Sequence, residues 1–356
     1  MSIFLKLRTG QAKYKDIENT LEVLKGVKMI QGDGYNKDFA EKHFKDMKFD
    51  IIIDDGMHDE PSLIKYFNVY RHFLKKGGYL MSEDINSMDL ARAVINNFDG
   101  PINNMSIIDR MHCSPRGRAE GLLIKIKKII LLGSTGYIGQ EFKKQLEEMG
   151  EEVYCLSRAD YDYYDLHTLR EVIWRRKADF LINCAGFTGK PNVDACEDQQ
   201  DETRRANVSL VRVISQACKM NNIPWGHVSS GCIYSGTKGA NGFTEDDYPN
   251  FTFDSPPCSF YSGTKAEAED FIKLESKDCY VWRLRIPFEE IEGPRNYLTK
   301  LLNYPMLLDA NNSISHKSDF VKYCLALWQK KADFGIYNVV NTGSITTKEV
   351  TEMMNK

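Results

Sequence analysis

Four apolar residues, Ile129 to Leu132, run directly into Gly133-Ser134-Thr135-Gly136-Tyr137-Ile138-Gly139, and a helix-period pattern continues to Met149-Gly150. This order of strand, glycine turn and helix restricts the fold more than any other stretch of the chain. Gly133 permits a tight turn, Gly136 lets backbone approach a pyrophosphate, and Gly139 permits close packing of helix on strand. The helix start then faces phosphate oxygens with free N–H groups and the positive end of its dipole. A glycine pattern alone is weak, and an ordinary glycine turn is the plain alternative; the flanking strand and helix favour a nucleotide site.

The following residues extend that pattern. Glu152 to Leu156 reads as the second strand, and it ends in Ser157 and Arg158 rather than in an acid. A hydroxyl and a guanidinium suit a ribose 2′-phosphate, which predicts NADP, while Asp160 and Asp162 keep NAD open. Asp165-Leu166, after a further short strand, resembles the adenine contact of this type of fold. Phe180 to Gly186 reads as the fourth strand, with small Ala185 where a cofactor would pass. Trp225 to Tyr234 is a strand ending in hydroxyls, and Trp282 to Pro287 a sixth strand whose end, Pro287, flanks the nicotinamide.

Tyr261 and Lys265 stand four apart in a helical stretch, so they share one face. A charged Lys265 there predicts a phenol lowered from about 10 towards neutrality. Ser230, at its strand end, completes a Ser-Tyr-Lys set. Serines at strand ends and tyrosines on helices are also ordinary structural residues. The combination of parts, in this order, resembles the extended short-chain dehydrogenases/reductases over residues 129–356, a resemblance that implies Ser230 binding a carbonyl, Tyr261 giving the proton, and Lys265 tuning Tyr261 and holding the nicotinamide ribose.

Two further segments narrow the resemblance. SSGCIY at 229–234 is similar to segments of GDP-fucose synthase and, more closely, of nucleotide-rhamnose synthases, and GPRNYLTK at 293–300 resembles a run of the same synthases. The dTDP-4-dehydrorhamnose reductases are of the same type. The resemblance implies that Cys232 and Lys300 are an acid/base pair that epimerises C3 and C5 of a 4-keto-6-deoxyhexose before reduction at C4. Without it, Cys232 is a small core residue and Lys300 a solvated lysine. The implied substrate is UDP- or dTDP-4-keto-6-deoxyglucose. A simple 4-ketoreductase and a non-catalytic NADP(H)-sensing Rossmann protein are the alternatives.

The chain has 356 residues, which predicts two domains, placed at 1–126 and 127–356. In the first, Phe49 to Asp55 and Gly78 to Asp84 read as buried parallel strands, with a helix from Ser62 to Lys75 capped at Gly77-Gly78. Leu122 to Ile126 would be its last strand. Asp54, Asp55, Glu83 and Asp84 fall at strand ends, where they either hold a hard cation or decorate solvated loops. DIIIDDGMH at 50–58 with LKKGGYLMSED at 74–84 resembles the class I, magnesium-dependent O-methyltransferases of macrolide sugars. That resemblance implies Mg2+ on Asp55, Glu83 and Asp84, His58 as base, S-adenosylmethionine as cofactor, and a cofactor cover at Gln31-Gly32-Asp33. The family's first glycine-rich loop has no counterpart between Met1 and Gly26.

The expected fold is therefore α/β, with two Rossmann-like domains. An incomplete class I methyltransferase-like domain precedes an extended short-chain dehydrogenase/reductase domain with a small substrate lobe. A net charge of -3 argues against a nucleic-acid partner, and no apolar run approaches the roughly 20 residues of a membrane span. Nine cysteines without a C-x-x-C pair suggest neither zinc nor disulfides, so a reducing cytoplasm is expected. The oligomeric state stays open, a homo-oligomer included.

Overall fold

A computed structural model describes residues 4–8, 30, 32–57, 59–85, 88–97, 105–109, 120–125, 127–190, 192–239 and 242–355. The chain divides into two compact units, Met1–Lys127 and Lys128–Lys356.

The first unit is a five-stranded mixed sheet with helices. Its elements are β1 (Phe4–Arg8), α1 (Lys37–Phe44), β2 (Phe49–Asp55), α2 (Glu60–Tyr70), β3 (Leu74–Ile85), α3 (Met88–Asn97), β4 (Met105–Asp109) and β5 (Glu120–Lys125). The strand order is β1-β2-β3-β5-β4, parallel from β1 to β3 and antiparallel thereafter. Aromatic residues Phe44, Phe49, Tyr66, Phe67 and Tyr70 fill its core. The helix expected to run to Lys75 stops at Tyr70; a tight turn, Arg71–Phe73, leads straight into β3. Gly78 is thus not a helix cap. A Cβ there would lie 2.9–3.1 Å from the carbonyl oxygens of Lys75, Asp50 and Phe49, at a register shift between β2 and β3.

The second unit is a six-stranded parallel sheet flanked by helices. Its elements are β6 (Lys128–Leu132), α4 (Tyr137–Glu148), β7 (Glu152–Leu156), α5 (Leu166–Arg176), β8 (Phe180–Asn183), α6 (Gln200–Arg204), α7 (Leu210–Asn221), β9 (Trp225–Ser230), α8 (Phe260–Glu275) and β10 (Cys279–Leu284). They continue with β11 (Pro287–Phe288), α9 (Tyr297–Asn303), β12 (Asn311–Asn312), β13 (Ser315–His316), α10 (Lys317–Gln329), β14 (Gly335–Asn338), β15 (Ile345–Thr346) and α11 (Thr347–Met354). The order is β14-β10-β9-β8-β6-β7, with every pairing parallel. Such a sheet is covered on both faces, and its central strands read as nearly unbroken apolar runs. Ile130, Leu132 and Leu181 pack on one side; Ile129, Leu131, Ile182 and Trp282 pack on the other.

Several strand expectations change: the runs expected over 180–186 and 225–234 end at Asn183 and Ser230. Residues 157–165 form turns, so the strand expected before Asp165 is absent there and Phe180–Asn183 is the third strand of the unit. Asp165 caps α5 instead, accepting from the Thr168 N–H at 2.7 Å, which holds its carboxyl below the ordinary range. The run expected from Trp282 to Pro287 is broken after Leu284. Ile286 sits at φ 40°, a strained conformation for a β-branched residue, and the chain restarts as β11 paired with β13.

Candidate active site

The glycine turn after β6 has little room for side chains. Gly133 lies at φ 74°, and a Cβ on it would stand 2.6 Å from the Ala185 nitrogen; one on Gly139 would stand 2.0 Å from the Gly133 carbonyl oxygen. Gly136 is the N-cap of α4 and offers no side-chain acceptor, so the helix's first N–H groups are left for an outside partner. Thr135 turns its carbonyl to Gln140, the Tyr137 ring lies 4.7 Å beneath the Lys317 ammonium, and Ile138 packs into the core. This cradle fits a dinucleotide pyrophosphate. At the end of β7, Ser157 and Arg158 are exposed, with the Ser157 hydroxyl accepting from the Ala159 N–H at 3.0 Å.

The loop after β8 carries Ala185 and is pinned from two sides. Asn183 accepts from the Ala185 N–H at 3.0 Å. Asn207, in a π-helical turn Arg205–Ser209 between α6 and α7, accepts from the Phe187 N–H at 2.8 Å and donates to the Phe187 carbonyl at 3.0 Å. Asn207 also donates to the Thr264 hydroxyl at 3.3 Å, which ties this loop to α8.

Helix α8 begins at a Ser259 cap and buries Tyr261, Ser262, Gly263, Thr264 and Lys265 in its first turns. Gly263 has no Cβ because the Phe253 ring occupies that space, 2.3 Å from where one would stand. The Tyr261 phenol is buried and faces the Ser230 hydroxyl at the end of β9. Burial and nearby Cys232 hold the phenol above its ordinary value, with Ser230 and Arg285 working the other way. This reverses the expected lowering. The Lys265 ammonium is spent elsewhere: it donates to the Val228 carbonyl at 3.0 Å and lies 3.4 Å from His227 Nε2. Burial pulls Lys265 down to about 8, against a smaller opposing pull from Glu269. A protonated phenol against a serine hydroxyl is an arrangement that can give a proton to a carbonyl oxygen.

Cys232 reaches the same place by a different route from the one expected. It does not continue the strand; it sits in a tight turn, Gly231–Ile233, capped by Ser230, whose Oγ accepts from the Cys232 N–H at 3.2 Å. Arg285 Nη1 donates to Cys232 Sγ at 3.0 Å, and its Nη2 donates to Asn312 of the small lobe at 2.6 Å. Lys300 on α9 is half-buried, and desolvation with the neighbouring Arg295 lowers its ammonium. Arg295 in turn donates to Thr188 and to the Gly189 carbonyl, at 3.0 and 3.1 Å. Pro287 begins β11, half-buried beside this lobe.

Sequence reasoning missed five members of this neighbourhood. His227 and Asn183 sit side by side on β8 and β9, fully buried, and Arg285 follows β10. Glu269, one helical turn past Lys265, forms a fully buried pair with Arg283. The signal for the last was present: Arg283 lies in an apolar strand and Glu269 in an apolar helix, and buried opposite charges pair.

In the first unit, β2 and β3 are parallel neighbours paired as far as Asp54 opposite Ser82, so Asp55, Glu83 and Asp84 follow at the same end of two adjacent strands. Asp54 turns inward, accepting from the Tyr35 and Ser82 hydroxyls at 3.0 and 3.3 Å. His58 and Gln31 lie outside the described residues, and of Glu83 and Asp84 only the backbone is described. Among the described residues no group of three metal-ligating side chains occurs, and no helix is long and apolar enough to cross a membrane.

Comparison with known proteins places the second unit. Residues 127–355 match the family model for the RmlD substrate binding domain. A bifunctional dTDP-4-dehydrorhamnose 3,5-epimerase/dTDP-4-dehydrorhamnose reductase of Arabidopsis thaliana is 32% identical over 231 residues, 63% of this chain and 73% of the relative. A trifunctional UDP-glucose 4,6-dehydratase/UDP-4-keto-6-deoxy-D-glucose 3,5-epimerase/UDP-4-keto-L-rhamnose-reductase of the same plant is 31% identical over 64% of this chain, but only 33% of its own length is spanned. Among solved structures, the L780 UDP-rhamnose synthase of Acanthamoeba polyphaga mimivirus superposes with a TM-score of 0.59 at 25% identity, covering 65% of this chain and 80% of that one. A dTDP-4-dehydrorhamnose reductase of Bacillus anthracis solved with NADP shares the fold at 19% identity and a TM-score of 0.55, over 64% and 79% of the two chains. Through residues 127–355 this chain belongs to the RmlD substrate binding domain family.

Proposed function

We propose that the second unit uses NADP(H) to reduce the C4 ketone of a nucleotide 4-keto-6-deoxyhexose, with epimerisation at C3 and C5, to give a nucleotide L-rhamnose-type sugar. The observation that carries this reading is the meeting of Ser230, Tyr261 and Cys232 in one place, with Lys265 on the next turn of α8. The plant and viral relatives, a dTDP-4-dehydrorhamnose 3,5-epimerase/reductase and a UDP-rhamnose synthase, support the substrate class. The exposed Ser157 and Arg158 favour NADP over NAD, and the cradle of Gly133, Gly136 and Gly139 holds the pyrophosphate. Bound NADPH supplies the hydride that reaches C4.

The chain's own residues do the rest. Ser230 and Tyr261 hydrogen-bond the ketone oxygen. Protons on the adjacent carbons are acidic because the resulting charge spreads onto that oxygen, where the two hydroxyls stabilise it. Cys232 takes a proton from one face and Lys300 returns one to the other, which inverts the centre. In the reduction step Tyr261 gives its proton to O4; the charge of Lys265, one turn along α8, stabilises the tyrosinate that remains, which regains its proton from water.

The experiment is incubation with a nucleotide 4-keto-6-deoxyglucose in heavy water. Wild type should incorporate deuterium at C3 and C5. Cys232→Ser should lower that incorporation by about 100-fold or more, the span of a general acid–base group, while still reducing a substrate already epimerised. Incorporation undiminished in Cys232→Ser removes the epimerase assignment and leaves a simple 4-ketoreductase.

For the first unit we infer an O-methyltransferase-type role on the same class of sugar. It is supported by Asp55, Glu83 and Asp84 following the last β2–β3 pair at the carboxyl end of parallel neighbours, the place where ligands of such sheets bind. His58 would be the base and Mg2+ the bound cation. Calorimetric titration with S-adenosylmethionine, with and without magnesium, is expected to give saturable binding; none in either condition dismisses this role.

A further inference from the structure

His227 is a fully buried histidine that the chemistry above does not use. Its hydrogen-bond partners leave little freedom for its hydrogen. Asn183 Oδ1 accepts from the Ala185 N–H at 3.0 Å, which fixes the amide's orientation and turns Nδ2 towards His227 Nδ1, 3.1 Å away. An amide NH2 can only donate, so Nδ1 must accept. The ring is neutral, because burial and the Lys265 charge both oppose its protonation. Its one hydrogen is therefore on Nε2, and Nε2 lies 3.4 Å from Lys265 Nζ. An N–H aimed at an amine meets a lone pair when the amine is neutral and another N–H when it is charged.

We propose that His227, locked by Asn183 with its hydrogen on Nε2, is a positioning residue that sets the charge of Lys265 from below. The assignment rests on the reductase reading, in which Lys265 must be charged beside Tyr261. It connects the loop carrying Ala185 to the catalytic lysine through a buried line: Ala185, Asn183, His227, Lys265. The other groups facing Lys265 are Glu269 on its own helix, Cys232 from the turn after β9 and Cys184 from the loop after β8. Glu269 is already engaged by Arg283.

The sign follows from the lysine. Its folded value lies at about 8, below the ordinary one, so its charge is present below that pH and is lost above it. Reduction should then fall about tenfold between pH 7 and pH 9. In His227→Gln the side-chain oxygen can accept from the ammonium, the fall moves to higher pH, and the same interval should show a loss of only about two- to threefold. A tenfold fall persisting in His227→Gln overturns the proposal. The second measurement needs no variant to fold and no activity: nitrogen NMR of histidine-labelled wild type should show His227 with its hydrogen on Nε2. In Asn183→Asp, whose carboxylate accepts from both Ala185 and the ring, the hydrogen should move to Nδ1. A wild-type hydrogen on Nδ1 overturns the proposal. Absence of any reduction by wild type would contradict the reductase reading, and the nitrogen spectrum would still decide the tautomer.

Discussion

Tyr261→Phe should lower reduction of a nucleotide 4-keto-6-deoxyhexose by a factor of about 10² to 10⁴, the usual worth of a positioned proton donor. The phenol is buried and held in its protonated form, and it faces the Ser230 hydroxyl, so removing one oxygen removes the donor and little else. Packing survives because phenylalanine keeps the ring. NADPH binding, followed by fluorescence or calorimetry, should therefore be retained while turnover collapses. Equal turnover in the variant would mean that some other group protonates O4. A joint loss of cofactor binding and turnover would mean that Tyr261 supports the cradle instead.

Glu269→Gln should cost about 3–5 kcal/mol of stability, the range for breaking a buried ion pair by neutralising one member. The pair is 1% exposed on either side. The Glu269 carboxylate accepts from Arg283 Nη2 at 2.7 Å, from Arg283 Nε at 3.0 Å, and from the Ser229 hydroxyl. The remaining guanidinium edge is used by Tyr234 at 2.9 Å. An amide at position 269 cannot neutralise the guanidinium, and its NH2 would confront donors on that side. For a unit of this size the loss corresponds to a melting temperature about 6–20 °C lower. Glu267→Gln is the control. Its partners Arg204 and Arg212 are about half exposed, and surface pairs of that kind contribute about 0–1 kcal/mol. Equal losses in the two variants would contradict the importance given to the buried pair.

The parts of the second unit that depend on local sequence were readable in advance. Strand β6, the glycine turn and α4 needed only apolar periodicity and glycine spacing. Tyr261 and Lys265 needed only the four-residue step of a helix, and Ser230 only its position at a strand end. The first unit's β2 was likewise legible as an apolar run between turns. Where reading failed, non-local contacts decided. Gly78 looked like a helix cap because glycine often is one, yet its role is to let three carbonyl oxygens crowd a β-strand. Asp165 was expected after a short strand, but residues 157–165 form turns and its carboxylate caps α5. The strand expected to run to Tyr234 stops at Ser230, and a turn, Gly231–Ile233, brings Cys232 near Tyr261. The phenol's shift was misjudged in sign because helix spacing puts Lys265 near Tyr261 but says nothing of burial, nor of the Val228 carbonyl that takes the ammonium. His227 and Asn183 were invisible because their relation exists only once β8 and β9 pair.

The most direct test of the account mixes the purified full chain with NADPH and, in separate reactions, UDP- and dTDP-4-keto-6-deoxyglucose, and follows cofactor oxidation alongside the mass of the sugar nucleotide. The account predicts that with at least one of the two, each NADPH oxidised yields one nucleotide sugar heavier by two hydrogens. Protein that is folded and binds NADPH, yet reduces neither substrate, would contradict it.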